Sequence, residues 1–282
     1  MRSRILSLPS MLQPFVIIGS TVVAAFAVSL LTRSLFNTPH LELDMGLTSA
    51  VYGTLGTIYA VLIAFVVSGV WQSFTNAGSA VSSEANALAD LLFIVGHMPV
   101  DKNTRIRKLA KLYVESVIER WDALVQATIV DTPVEEITLD TSSALLQAIL
   151  DLEPRDGREH ELYGQSLRLA AVWLDARRNR LRSARGNTAK ALWGLLIGGA
   201  FVLFAFHGMF VTHAWGIWAG LLLGFSLIVG LTFYLIFSLD SPFSGQLSAG
   251  SEPFLWVLKT LRRFEEHPHE RPAELYARML GL

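Results

Sequence analysis

The histidines are the first side chains to test for chemistry. His267, His269 and Glu270 are metal-ligand types set close together, but a metal site needs three or four convergent ligands, and a tail containing Pro268 and Pro272 reads more simply as solvated chain. His160, between Glu159 and Glu161, has no stronger claim. His207 differs because, tyrosines aside, it is the sole ionisable side chain well inside a long apolar run. Such a group is a functional candidate by default, or a hydrogen-bonded residue of helix packing. The rest of the catalytic repertoire is missing. The chain has no Cys, so disulfides, thiolate zinc sites, iron–sulfur clusters and Cys nucleophiles are excluded. It has no Gly-x-Gly-x-x-Gly, Gly-x4-Gly-Lys, His-Glu-x-x-His or Gly-x-Ser-x-Gly, the parts that nucleotide, zinc-protease and hydrolase chemistry require. The residues therefore point to a protein that is not an enzyme and holds no cofactor or metal.

Two groups suit the passage of something rather than its conversion. Gly53, Thr54, Gly56 and Thr57 are small and hydroxylic, fit for a narrow pore or for close helix packing. Further on, Asn76, Ser79, Ser83, Asn86 and Asp90 gather on one side of a helical pattern, with Glu84 nearby, while Ala77, Val81, Ala85, Leu88 and Leu92 form an apolar stripe. From Asn76 to Asp90 the polar side spans about 21 Å at 1.5 Å per residue. It is the wall of an aqueous vestibule if several copies surround an axis, and an ordinary solvated face otherwise.

These groups need elements to carry them. Three windows hold no Asp, Glu, Lys or Arg: residues 5 to 32, 45 to 83 and 191 to 239. A spanning helix takes roughly 20 apolar residues, so the windows predict helices at 15–31, 51–71, 191–211 and 217–237, four spans in two pairs. Small-x3-small spacings at Gly194/Gly198 and Gly216/Gly220/Gly224 predict helix packing. Acidic relays and Arg ladders are absent from these windows, so proton-coupled pumps and voltage sensors are not supported.

Between the pairs the charge returns, balanced in sign, with apolar residues at three- and four-residue steps through Ile106, Leu109, Tyr113 and Val117. That pattern predicts helices at 74–98, 103–129, 141–152 and 157–187, with a loop over Asp131 to Asp140. Two short tail helices carry Pro253 and Pro272 in their first turns. The organisation is thus a first transmembrane pair at 1–71, a helical cytoplasmic region at 72–190, a second pair at 191–238 and a cytoplasmic tail at 239–282.

Orientation follows from Arg2 and Arg4 ahead of the first span and the crowd from Arg177 to Lys190 ahead of the third, against Arg33 alone in the loop from Thr32 to Ser49. The positive-inside rule places both termini and the middle region in the cytoplasm. Ala25-Phe26-Ala27 imitates a signal-peptide cleavage site, but the apolar run continues to Leu31, which favours an anchor. A formal charge of −1 gives no global field for nucleic acid.

Three segments then carry a resemblance: Val70-Trp71-Gln72-Ser73-Phe74, Glu84-Ala85-Asn86-Ala87-Leu88-Ala89-Asp90 and Ser238-Leu239-Asp240-Ser241-Pro242-Phe243-Ser244-Gly245. Together they resemble a bacterial membrane family described as bestrophin-like, over about Tyr52 to Phe254, and more distantly the bestrophins. The resemblance implies a pentameric ion channel of the bacterial inner membrane, with four spans per subunit. The turn Asp240, Pro242, Phe243 and Gly245 would match the family's Pro-Phe-Gly turn with Ser244 inserted. Aligned on Trp71, the second span would present Gly53, Thr57, Val61 and Phe65 to a pore neck, and Asn76, Ser83, Glu84, Asn86 and Asp90 to the cytoplasmic vestibule. Gln246 to Ser251 contains no carboxylate, so the acidic calcium clasp of animal bestrophins is not reproduced. The expected partners are other copies of this chain in a ring, membrane lipids and permeating ions. The competing reading is a noncatalytic membrane scaffold or sensor that binds a partner through its cytoplasmic helices.

Overall fold

The computed structural model describes residues 11–36, 45–121, 139–184, 190–210, 214–243 and 248–266. Among them the secondary structure is all-α. In chain order the helices are α1 (Gln13–Phe36), α2 (Met45–Val95), α3 (Val100–Glu119), α4 (Leu139–Leu150), α5 (Gly157–Ser183), α6 (Lys190–Met209), α7 (Trp215–Leu239) and α8 (Glu252–Glu266). Four are long and apolar enough to cross a membrane: α1, α2, α6 and α7. The second span and the helix after it, expected as 51–71 and 74–98, are one uninterrupted helix of 51 residues. No proline lies between Met45 and Val95, so nothing removes a backbone donor or forces a break. At 1.5 Å per residue it is about 77 Å long, more than twice a hydrocarbon core of about 30 Å.

Helix ends follow local chemistry. Pro99 sets the chain extended just ahead of α3. Asp156 caps α5, its carboxylate accepting from the Glu159 amide at 2.7 Å, and Arg180 and Arg182 occupy the last turn, where positive charge suits the helix dipole. Of the expected helix 103–129, the structure describes Val100–Glu119. Residues 122–138 and the second tail helix lie outside the described residues.

The chain divides into two compact units. The first comprises Met1–Phe74 and Gly186–Leu247, and the second Thr75–Arg185 and Ser248–Leu282. In the first, α1 packs on α6 and α7 around Ala25, Tyr59, Leu196, Leu203, Leu222 and Ile236. Large apolar residues such as Phe15, Ile58, Ile217 and Ile228 point outward, as lipid requires. Close approach falls at Gly199, where a Cβ would lie 2.6 Å from the Tyr59 ring, and at Gly208, where it would lie 2.2 Å from the Ser29 carbonyl oxygen. Tyr59 and Ser29 donate to the carbonyls of Leu196 and Phe204 at 2.8 and 2.7 Å. The expected packing of Gly194, Gly198, Gly216, Gly220 and Gly224 is not made within this chain: nothing lies within 4 Å of a Cβ at any of them. They sit on helix faces turned away from their own neighbours, which spacing alone does not reveal.

In the second unit, α3 packs on α4 and α8, and α4 on α5. Its core is built from Leu88, Ile106, Tyr113, Leu145, Trp173 and Phe254.

Candidate functional site

The rotation of α2 about its axis organises every candidate on it. One turn takes 3.6 residues, and the buried positions Tyr59, Val66, Val70, Ala77, Val81 and Leu88 fall on one line along the helix. On the opposite side Gly53, Thr57, Val61 and Phe65 are exposed, and so are Gln72, Asn76, Ser79, Ser83, Asn86 and Asp90. These ten positions share an arc of about 140°, so a single exposed face runs from Gly53 to Asp90, about 56 Å. Its chemistry changes along the way, from small and apolar to amide, hydroxyl and carboxylate.

Within the apolar stretch, the Thr54 and Thr57 hydroxyls donate to the carbonyls of Ala50 and Gly53, each at 2.9 Å. Their protons are committed to the helix, which leaves oxygen lone pairs turned outward. Val61 is 52% and Phe65 74% exposed, large apolar surfaces that the chain itself does not cover.

Glu84 does not belong to the water-facing set; it is fully buried, which corrects the expected vestibule role. It lies in phase with Ala77, Val81 and Leu88, so its side chain enters the core of the second unit. There Arg180 donates through Nε to Oε2 at 2.6 Å and through Nη2 to Oε1 at 3.3 Å, and the Tyr113 hydroxyl donates to Oε1. The Arg180 guanidinium also lies 5.6 Å from the Phe254 ring and 5.9 Å from the Trp121 ring. Burial is the largest single influence on Arg180 and lowers its pKa, but the Glu84 carboxylate and the Tyr113 phenol together outweigh it and the net direction is up. Burial, reinforced by the Glu84 charge, raises the Tyr113 phenol well above its ordinary value, so it stays a donor. Sequence reasoning missed this group. The signal available was the phase of Glu84, which matches the apolar stripe, and of Arg180, seven residues after the buried Trp173.

A second ionic cluster ties α3 to the start of α5. Lys102 pairs with Glu159 at 2.6 Å and donates to the Glu153 carbonyl, while the Arg155 amide donates to the same Glu159 carboxylate at 2.7 Å. The Lys102 hydrogen bond, then the Arg155 amide, holds the Glu159 carboxyl below its ordinary pKa.

The family-motif turn is buried: Asp240 and Phe243 are 4% and 2% exposed, and the Asp240 amide donates to the Ile236 carbonyl at 2.9 Å. Pro242 sits between them and is also buried, while Gly245 lies outside the described residues. His207 is a packing residue. Its ring faces the Trp218 carbonyl at 3.4 Å, the Trp218 indole donates to the His207 carbonyl at 3.4 Å, and the ring centroids are 5.5 Å apart. Among the described residues no three His, Asp or Glu side chains gather to hold a metal. His160 is exposed, with its ring near the Asp156 carbonyl, and His267, His269 and Glu270 lie outside the described residues.

What the arrangement offers is a long helix face with graded polarity. The family model described as the Bestrophin-like domain matches residues 19–254. The fold is similar to the crystal structure of a point variant of a bacterial Bestrophin homolog from Klebsiella pneumoniae. The two superpose with a TM-score of 0.61 at 14% identity, over 93% of this chain and 98% of the other. Comparison with curated proteins gives no match.

Proposed function

The chain belongs to the Bestrophin-like domain family, and on that premise we propose that it is an oligomeric ion channel that conducts passively along an axis lined by α2. The observation that carries this reading is the exposed face of α2, which runs without interruption from Gly53 to Asp90 while the opposite face is buried. Closed rotational symmetry repeats one such face around an axis and makes a complete wall from a modest stripe per chain. The resemblance to bestrophins implies five copies, in the bacterial inner membrane, with both termini cytoplasmic. Residues 1–71 and 191–238 then cross the bilayer, and 72–190 and 239–282 face the cytoplasm.

In this assembly Gly53, Thr57, Val61 and Phe65 form the neck. Short and apolar groups coordinate ions poorly, so the barrier is set by width and hydration rather than by a tight binding site. Asn76, Ser83, Asn86 and Asp90 form the vestibule, where a ring of Asp90 carboxylates raises the local cation concentration. The reading is therefore weakly cation-favouring. Glu84 serves by position: its bonds to Arg180 and Tyr113 fix the rotation of α2 and with it the direction of Ser83 and Asn86.

Ion flux through purified protein in liposomes, paired with its mass in mild detergent, tests the reading. Expected are a mass above a trimer, measurable flux and a higher flux for Val61→Ala. A folded monomer, or a flux that ignores Val61→Ala and Asp90→Asn, refutes the pore assignment.

A further inference from the structure

In the second unit, α2 and α8 border an open groove of about 500 Å³ lined by Asn86, Ala89, Asp90, Phe93 and Trp256. Its volume is that of a small-molecule site. The four α2 residues are three and four positions apart and share a helix face, and Trp256 enters from α8 with 40% of its surface exposed. The lining combines one carboxylate, one amide and two aromatic rings, and among the lining residues only Asp90 is charged. On α8, Glu252 and Lys259 flank Trp256 one turn away on either side, so their opposite charges leave Asp90 to set the sign.

That combination selects a class of ligand. Asp90 disfavours an anion. A neutral apolar molecule would strip water from Asp90 and Asn86 without replacing their hydrogen bonds. A sodium or potassium ion holds its hydration shell and gains little from a ring. A weakly hydrated ammonium gains from the carboxylate and from the negative faces of the rings together. From this chemistry we infer that the groove between α2 and α8 binds a small organic cation, an alkylated ammonium. It requires neither conduction nor a particular subunit number.

The test is calorimetric titration of the purified full chain in detergent with tetramethylammonium chloride, at constant ionic strength against sodium chloride. Saturable tetramethylammonium binding is expected. Asp90→Asn should weaken it about tenfold or more and Trp256→Ala about two- to fivefold, while Trp256→Phe keeps most of the affinity. Asp90 and Trp256 are exposed, so unchanged melting temperatures should accompany all three variants. Absence of saturable binding overturns the inference. So does binding that falls with Asp90→Asn but is the same in wild type, Trp256→Ala and Trp256→Phe, since that is counter-ion adsorption to a carboxylate. Protein that conducts without binding the probe sinks this inference alone, and protein that binds without conducting sinks the channel reading alone.

Discussion

The two units of the chain bury polar groups by opposite rules. Within the spans of the first, short of the turn at Asp240, the interior groups are neutral: Ser29 and Tyr59 donate to helix carbonyls, and the rings of His207 and Trp218 each reach the other's carbonyl. In the second, the interior holds a charged pair, Glu84 with Arg180, and a part-buried pair, Lys102 with Glu159, lies nearer the surface. The outer surfaces are reversed as well, with Leu, Ile and Phe on the first and charged residues on the second. The physical cause is the solvent against which each unit folds. In hydrocarbon an ion without a partner is prohibitive at every stage of folding, so neutral donors with local carbonyl acceptors are used. In water a buried pair can form, and what it supplies is one particular orientation of the helices that carry it. Helix α2 obeys both rules in turn, placing Tyr59 and Val70 in one core and Glu84 and Leu88 in the other.

The contrast can be broken most strongly at Arg180. Arg180→Met leaves the Glu84 carboxylate buried without its cation and should cost about 3–5 kcal/mol, read as a lower melting temperature of the purified protein. The double variant Glu84→Gln/Arg180→Met should recover a large part of that loss. A single variant as stable as wild type would mean that the second unit does not depend on its ion pair.

In the first unit the sensitive positions are steric. Gly208→Ala drives a methyl against the Ser29 carbonyl oxygen and should cost about 1–3 kcal/mol. Gly220→Ala enters open space within the chain and should leave the fold of a subunit intact. If Gly220→Ala changes the oligomeric mass instead, that face of α7 touches another copy.

If Asp90 faces the proposed axis, Asp90→Asn should lower cation preference in liposomes by up to about tenfold at low ionic strength, and by less as salt rises and screens the carboxylate. A preference that does not change with salt would place Asp90 away from the ion path.

The smallest expected effect concerns pH. Glu159 has a folded pKa below its ordinary value of 4.5, held there by Lys102 and the Arg155 amide. For a depressed carboxyl, the stabilisation is present above the unfolded value and is lost as pH falls through the folded one. Wild type should therefore lose stability below about pH 4.5, and Glu159→Gln should flatten that limb of a melting-temperature profile. Equal slopes for the two proteins would remove Glu159 from the acid response.

Much of this was legible in the residues. Lipid demands long uninterrupted apolar runs, so α1, α6 and α7 were placed to within a few residues of their observed ends. The segments around Trp71, Asp90 and Pro242 pointed to the family because their residue types recur together. The exposed face of α2 was legible as well, since a 3.6-residue period fixes which positions share a side. Glu84 was misread because a carboxylate is placed in water by default, and its partner Arg180 lies 96 residues away. Arg180 itself reads from sequence as one of a basic crowd ahead of a span.

The glycines divide the same way. The spacing of Gly194, Gly198, Gly216, Gly220 and Gly224 announced packing, yet among the described span glycines the close contacts within the chain fell at Gly199, Gly208 and Gly230. Sequence by itself determined what is local: helix type, the extents of α1, α6 and α7, and the sides of α2. Tertiary structure alone decided which charged group finds a distant partner and which small residue meets a neighbouring backbone. Those outcomes depend on distances between segments far apart in the chain, and neither composition nor periodicity encodes them.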